Sequence, residues 1–261
     1  MAGKGGGLAV EPVLEGTVAL VTGASSGIGA ATAAALAARG AGVALAARRR
    51  DRLEELAASI NDRGGTALVL ECDITDQQQA ARAVERTAAE LGRLDTLINN
   101  AGVMLLGPVA GAPLDEWQQM VELNVLGLLY CAHAALPHLL SAAESGPRQV
   151  ADMVNISSVA GRAARNGNGV YSLTKHGVGA FSESLRQEVA KRYLRVSLVE
   201  PGATATELAS HNRPEVLESI RSQFGQTMDA TDIADAITYI VTRPRHVAVS
   251  EVLIRPTEQE R

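Results

Sequence analysis

Seven short, almost wholly apolar runs alternate with helical segments along the chain, and this alternation constrains the fold more than any other feature. The runs are Thr17–Thr22, Val43–Ala46, Thr66–Leu70, Leu94–Ile98, Val150–Ile156, Val196–Val199 and Glu251–Ile254. Strands apolar at nearly every position are covered on both faces, as in parallel sheets whose crossover helices pack on either side. Between them the sequence predicts helices over Ala30–Arg39, Asp51–Ile60, from Thr75 to about Leu91, about Asp115–Leu140, about Val170–Arg192 and Thr231–Val241. Gly40 stops the first, Thr75 with Gln78 forms a capping-box pattern for the third, and Thr231 is expected to cap the last. The expected fold is therefore α/β, a doubly wound parallel sheet of about seven strands with helices on both faces. No linker or repeat divides the 261 residues. One domain over 15–257 is expected, after a flexible tail at 1–14 and before a short tail at 258–261.

Composition excludes several functions. A net charge of −5 lacks the basic footprint of a nucleic-acid binder, and 3% aromatic residues cannot furnish a stacking platform. Met1–Val10 contains no apolar core of a signal peptide. The longest apolar stretch, Val125–Leu140, is interrupted by His133, Pro137 and His138 and falls short of the ~20 residues a membrane helix needs. Cys72 and Cys131 offer no disulfide framework. As buried thiols they suit a reducing compartment, so a cytoplasmic location with no membrane partner is expected. The five histidines lack metal-ligand spacing, and no metal is expected.

Four groups of residues carry chemistry. Thr22–Gly29 (TGASSGIG) joins the first strand to the first helix. Glycines at such a junction let the backbone approach a pyrophosphate, and the helix N-terminus presents free N–H groups to it. The second strand ends Ala46-Ala47-Arg48-Arg49. An acidic residue there would accept the adenosine ribose hydroxyls of NAD; Ala47 followed by guanidiniums favours the 2′-phosphate of NADP, with Arg48 the better contact. Tyr171 and Lys175, four residues apart, share one face of a helix, where an ammonium would lower the phenol's pKa and make it a usable acid and base. Ser158 follows the fifth strand, at the strand end where ligands bind in this architecture. Ser157 beside it reads as structural.

With Asn99-Asn100-Ala101-Gly102, Asn124 and Pro201-Gly202 added in order, the sequence resembles the short-chain dehydrogenase/reductase family in its compact single-domain branch, over about 15–257. The resemblance implies a Rossmann-type fold, binding of NADP(H) and no separate substrate domain. Within the family, Asn99–Val109, Glu200–Leu208 and Ile254–Thr257 resemble NADP-dependent clavulanic acid (clavaldehyde) dehydrogenase of β-lactam antibiotic biosynthesis, and also 3-hydroxy acid and serine dehydrogenases.

By that resemblance Tyr171 gives a proton to a carbonyl, or takes it back in oxidation. Lys175 lowers the Tyr171 pKa and holds the nicotinamide ribose, Ser158 steadies the carbonyl oxygen, and Asn124 ties a water into the relay behind Lys175. Gly23, Ser25, Ser26, Gly27, Ile28 and Gly29 wrap the pyrophosphate, with Arg48 and Arg49 on the 2′-phosphate. Asp73 and Ile74 flank the adenine, Asn100, Ala101 and Gly102 line the adenosine side, and Pro201, Gly202, Thr204 and Thr206 hold the nicotinamide end. Substrate contacts are expected from Met104, Leu106, Val159, Arg162, Asn166 and Glu207, within loops that include Val159–Asn168 and Glu207–Phe224, with Arg162 as a carboxylate anchor. The expected activity is carbonyl reduction on a small polar metabolite by a homotetramer or homodimer. Oxidation of a 3-hydroxy acid or serine is one alternative, and an idle NADP-binding sensor is another.

Overall fold

The computed structural model describes residues 13–223 and 226–260. Most of the expected N-terminal tail, Phe224 and Arg261 therefore lie outside the described residues. Leu14, assigned to that tail, is only 2% exposed and packs in the core.

The elements are β1 Val18–Thr22, α1 Gly27–Ala37, β2 Gly42–Ala47, α2 Arg50–Asn61, β3 Thr66–Glu71, α3 Gln77–Leu91, β4 Thr96–Asn99, α4 Leu114–Val121, α5 Leu128–Ser145, β5 Ala151–Ile156, α6 Gly169–Val189, β6 Leu194–Pro201, α7 Pro214–Gln223, α8 Ala230–Val241 and β7 Glu251–Ile254. All seven strands are parallel, in the order β3-β2-β1-β4-β5-β6-β7. The four central strands are buried at every position, whereas edge strand β7 alternates exposed and half-buried residues. One core layer packs α3, α5 and α6 on the sheet through Val84, Cys131, Leu139 and Leu185. The other packs α1, α2 and α8 through Leu36, Leu53, Ile60, Ile233 and Ile237. This is the doubly wound Rossmann-type sheet the apolar runs predict. Its strand order reverses between β1 and β4, opening a crevice at the carboxyl ends of the strands.

Two capping expectations are corrected. Asp76, not Thr75, caps α3: its Oδ1 accepts from the Gln78 and Gln79 amides at 2.8 and 3.0 Å. The Thr75 hydroxyl instead donates to Asp73 at 2.8 Å. At α8 the cap is Asp229, whose own amide donates to Asp232 at 2.8 Å, and Thr231 is already inside the helix. A carboxylate accepts more strongly than a hydroxyl, so each helix begins at the aspartate.

The helix expected over Asp115–Leu140 runs from Leu114 to Ser145 and is not uniformly α: Glu122–Gly127 is a π-helical turn. Such wide turns concentrate at functional positions, and this one contains the buried Asn124. Among the described residues this 32-residue helix is long and apolar enough to cross a membrane, which corrects the length argument made from the sequence. Its Leu128, Cys131, Ala135 and Leu139 are buried in the fold.

A charged cluster closes the opposite end of the sheet. Asp152 at the start of β5 is fully buried. It accepts from Arg195 of β6 at 2.7 and 2.9 Å and from Arg148 at 3.4 Å. Arg195 also donates to the carbonyls of Val241, Arg243 and Val247, tying α8 and the chain after it to the sheet.

Candidate active site

The crevice holds a cleft of about 690 Å³, within the size range of small-ligand and cofactor sites. Its floor begins at the Gly-rich turn. Gly23 has φ +66°, and a side chain there would sit 2.8 Å from Ala101 Cα. A Cβ on Gly29 would collide with the Gly23 carbonyl and lie 2.5 Å from Asn100 Nδ2. The turn is locked from the β4 side. Asn100 Nδ2 donates to the Thr22 carbonyl at 2.9 Å, and Thr22 Oγ1 accepts from the Asn100 and Ala101 amides at 3.0 and 3.1 Å. Gly23, Ser25, Ser26, Gly27 and Ile28 line the cleft; Gly29 supports it from within α1. The first turn of α1 carries no carboxylate, so its free N–H groups present an unopposed positive end.

At the end of β2 the two arginines differ. The Arg48 side chain is 68% exposed, with Asp73 4.0 Å away. Arg49 donates from Nη2 to Ser25 and Ser26 and from Nη1 to Glu207. Asp73, Ile74, Asn100, Ala101 and Gly102 line the same end of the cleft. A cradle without side chains, a helix N-terminus and exposed guanidiniums fit the anionic groups of a phosphorylated dinucleotide.

The opposite end gathers the polar groups. Ser158 opens a short turn after β5 and caps it by accepting from the Ala160 amide at 3.1 Å. Tyr171 and Lys175 project from the first turns of α6 and line the cleft with it. Burial pushes the Tyr171 phenol up to about 12, against the pull of the hydrogen-bonded Ser158 hydroxyl. Burial likewise pushes Lys175 down to about 8. The expected lowering of Tyr171 by Lys175 is not found: only Ser158 pulls the phenol down, while Lys175 Nζ stands 5.9 Å from the ring centroid and donates to the Ile156 carbonyl at 2.8 Å. Ser157 is structural, its hydroxyl donating to the Lys175 carbonyl at 3.0 Å.

Asn124 lies beneath the cleft. Its Oδ1 accepts from Val103 N at 2.8 Å, and its Nδ2 donates to Val103 O at 2.9 Å and to Thr174 at 3.2 Å. It braces the loop that leaves Gly102. Pro201, Gly202, Thr204 and Thr206 line the cleft along the chain leaving β6.

Of the substrate residues, Met104, Leu106, Val159, Asn166 and Glu207 line the cleft. Arg162 does not, which corrects its assignment as a carboxylate anchor. Its Nε donates to both oxygens of Glu200 at 2.7 Å and its Nη2 pairs with Glu251. Glu200 is 1% exposed, and a buried carboxylate needs this partner. Arg165 lines the cleft instead, on a turn where its amide donates to Asn168 Oδ1 at 2.7 Å. Glu207 pairs with Arg49.

Two contributors escaped the sequence reading. Asn212 Oδ1 accepts from Leu106 N at 2.7 Å and its Nδ2 donates to Met104 O at 2.8 Å, holding the chain after β6 against the apolar wall. Gln259, expected in a tail, lines the cleft and accepts from Ala203 N at 2.9 Å. Neither belongs to a motif, and no local signal marks them. Among the described residues, no group of three His, Cys, Asp or Glu side chains could hold a metal.

A doubly wound sheet with a Gly-rich first turn, and a Ser–Tyr–Lys set at the strand ends, is the architecture of a dinucleotide-linked oxidoreductase. The short chain dehydrogenase family profile matches residues 17–217, and the chain belongs to this family of oxidoreductases. It is 41% identical over 248 residues to glycine betaine reductase ATRR of Emericella nidulans, covering 94% of this chain but only 19% of that much longer relative. The closed form of a serine dehydrogenase complexed with NADP+ superposes with a TM-score of 0.85 at 27% identity, covering 94% and 97% of the two chains. A metagenomic short-chain oxidoreductase in complex with NADP gives 0.79 at 32% identity, covering 94% and 99%.

Proposed function

We propose that the chain is an NADP(H)-dependent carbonyl reductase. The observation that carries this reading is one cleft with an anion-accepting Gly-rich turn and arginines at one end and Ser158, Tyr171 and Lys175 at the other. The dinucleotide, when bound, supplies or accepts a hydride. Gly23, Ser25, Ser26, Gly27 and Ile28 would hold its pyrophosphate, Arg48 with Arg49 its 2′-phosphate, and Lys175 with Pro201, Gly202, Thr204 and Thr206 its nicotinamide end. Tyr171 holds a proton at Oη at neutral pH because burial keeps the phenol neutral, which suits donation to a carbonyl oxygen. Ser158 steadies that oxygen as charge develops. Lys175, cationic below about pH 8, stabilises the phenolate left behind. Asn124 keeps Val103 and the adjoining wall in register. The name of the 41% identical relative, a reductase, supports the reductive direction.

The substrate we infer is a small polar aldehyde or ketone, as in the clavaldehyde reduction of antibiotic biosynthesis. Met104 and Leu106 give one apolar wall, and Arg165 and Asn166 a polar one. In a panel of aldehydes, the purified protein is expected to oxidise NADPH faster than NADH. Arg48→Ala then raises the KM for NADPH by about tenfold or more, the order expected for a charge-assisted contact to phosphate, with little change for NADH. Equal effects on both nucleotides remove Arg48 from the phosphate. Tight NADPH binding without turnover of any carbonyl replaces the enzyme with a sensor.

We propose further that the chain assembles as a homotetramer or homodimer through α4, α5 and α6. Leu114 on α4 and Leu173 on α6 are 69% and 62% exposed, side chains that a partner chain would cover. Light scattering is expected to give two or four times the 27.2 kDa chain mass; a stable monomer rejects the assembly.

A further inference from the structure

Where the chain leaves β6 it turns along the cleft, and its half-buried amides need partners beyond the sheet. Gly202 N still reaches Ile254 O of β7, at 2.7 Å. Ala205 N donates to Met228 O at 2.8 Å and Met228 N to Ala203 O at 3.0 Å, so the chain before α8 holds one side of the segment. Ala203 N has a different kind of partner. It donates to the side-chain oxygen Oε1 of Gln259 at 2.9 Å, 56 residues further on. The chain after β7 brings Gln259 back to this point: Pro256 is buried, and a turn from it closes with Gln259 N donating to Pro256 O at 3.0 Å. The carboxamide then lies on Gly202, where a Cβ would collide with Gln259 Oε1 and stand 3.2 Å from Arg255 Cα. Only a residue without a side chain admits this approach.

We propose that Gln259 is a positioning residue for the nicotinamide end of the cofactor: through Ala203, its carboxamide oxygen holds the Pro201–Thr206 segment where that segment meets the ring. This rests on reading the cleft as a dinucleotide site. Every residue from Pro201 to Thr206 lines the cleft, so a shift at Ala203 N moves the wall itself. Without the Gln259 oxygen, that half-buried amide loses its acceptor. The segment then gains freedom that binding the ring has to remove again. The Gly-rich turn does not depend on this bond, because Thr22 and Asn100 hold it from the β4 side. The consequence of losing Gln259 is therefore confined to one end of the ligand.

The test compares two ligands on the full chain by titration calorimetry: NADPH, and 2′-phospho-ADP-ribose, which keeps the adenosine and phosphates of NADPH and lacks the nicotinamide ring. Gln259→Leu removes the acceptor with little change of side-chain volume. It is expected to weaken NADPH binding about three- to tenfold, the order of one lost neutral hydrogen bond. Binding of 2′-phospho-ADP-ribose is expected to stay within about twofold, the tolerance for a site that shares no partner with the change, which also reports that the variant is folded. Gln259→Glu keeps an acceptor oxygen at the same reach and is expected to recover most of the NADPH affinity. Unchanged NADPH affinity in Gln259→Leu overturns the proposal. Equal losses for both ligands also overturn it, making Gln259 a general support of the fold. So do equal losses in Gln259→Leu and Gln259→Glu, since the acceptor oxygen is then not the operative group. A parent chain that binds neither ligand overturns the dinucleotide reading itself, and the role of Gln259 with it.

Discussion

Replacing Tyr171 by Phe is expected to lower kcat for carbonyl reduction by about 10²–10⁴-fold, the usual contribution of a positioned acid. NADPH binding is expected to remain, because the residues expected to hold the pyrophosphate and 2′-phosphate line the other end of the cleft. The phenol is fully buried beside Ser158, and burial keeps it protonated far above neutrality, so the proton is present when a carbonyl arrives. What must be stabilised is the phenolate left afterwards, and the group placed to do so is the Lys175 ammonium. Burial has already pulled that ammonium down to about 8. A lysine is charged below its pKa and neutral above it. Reductive kcat/KM should therefore hold steady up to about pH 8 and fall as the pH rises further, while the reverse oxidation, which needs the phenol to lose its proton, gains. A Phe variant retaining a tenth of the parent's turnover removes Tyr171 from this role. A reductive profile flat from pH 6 to 10 removes Lys175.

Asp152→Ala is expected to cost about 3–5 kcal/mol of stability, because breaking a buried ion pair from one side leaves an uncompensated charge. At 2–4 °C per kcal/mol for a chain of this size, the melting temperature falls on the order of 10 °C. Arg195, itself buried, keeps its bonds to the carbonyls of Val241, Arg243 and Val247 but loses the two from the carboxylate. Removing both charges together, Asp152→Ala with Arg195→Met, should recover a good part of the loss, since no lone charge then stays buried. Scanning calorimetry of the three chains decides it. A fall below about 2 °C in the single variant, under the range that such a pair implies, rejects the role given to the cluster. The pair lies at the amino end of β5 and Ser158 just beyond its carboxyl end, so folded protein should keep its activity.

Much of the site was legible because each motif is local. The Gly-rich turn needs glycines wherever its neighbours approach, and Gly23 against Ala101 and Gly29 against Asn100 show the contacts that require them. Tyr171 and Lys175 meet because four residues make about one helical turn. The strands were legible because burial on both faces leaves an apolar residue at every position.

Other features depended on partners distant in sequence. Arg162 and Arg165 are alike as letters; Glu200 and Glu251 claim the first, 38 and 89 residues away, and leave the second on the cleft. Asn212 reaches segments more than 100 residues back. Thr75 and Thr231 lost their caps to aspartates one and two positions away, a contest that chain direction settles only once the helix is formed.

The sequence by itself determined the order of the seven strands and of the helices between them save α7 Pro214–Gln223, which lies in an expected loop, together with the family and the absence of a carboxylate at the end of β2. Those properties follow from period, local spacing and residue type. Only the tertiary structure decided which charges remain available and which are neutralised: Arg48 exposed, Arg49 joined to Glu207, Arg162 to Glu200, Asp152 to Arg195. Electrostatic pairing depends on distance and burial in three dimensions, and neither is written in the spacing of residues along the chain.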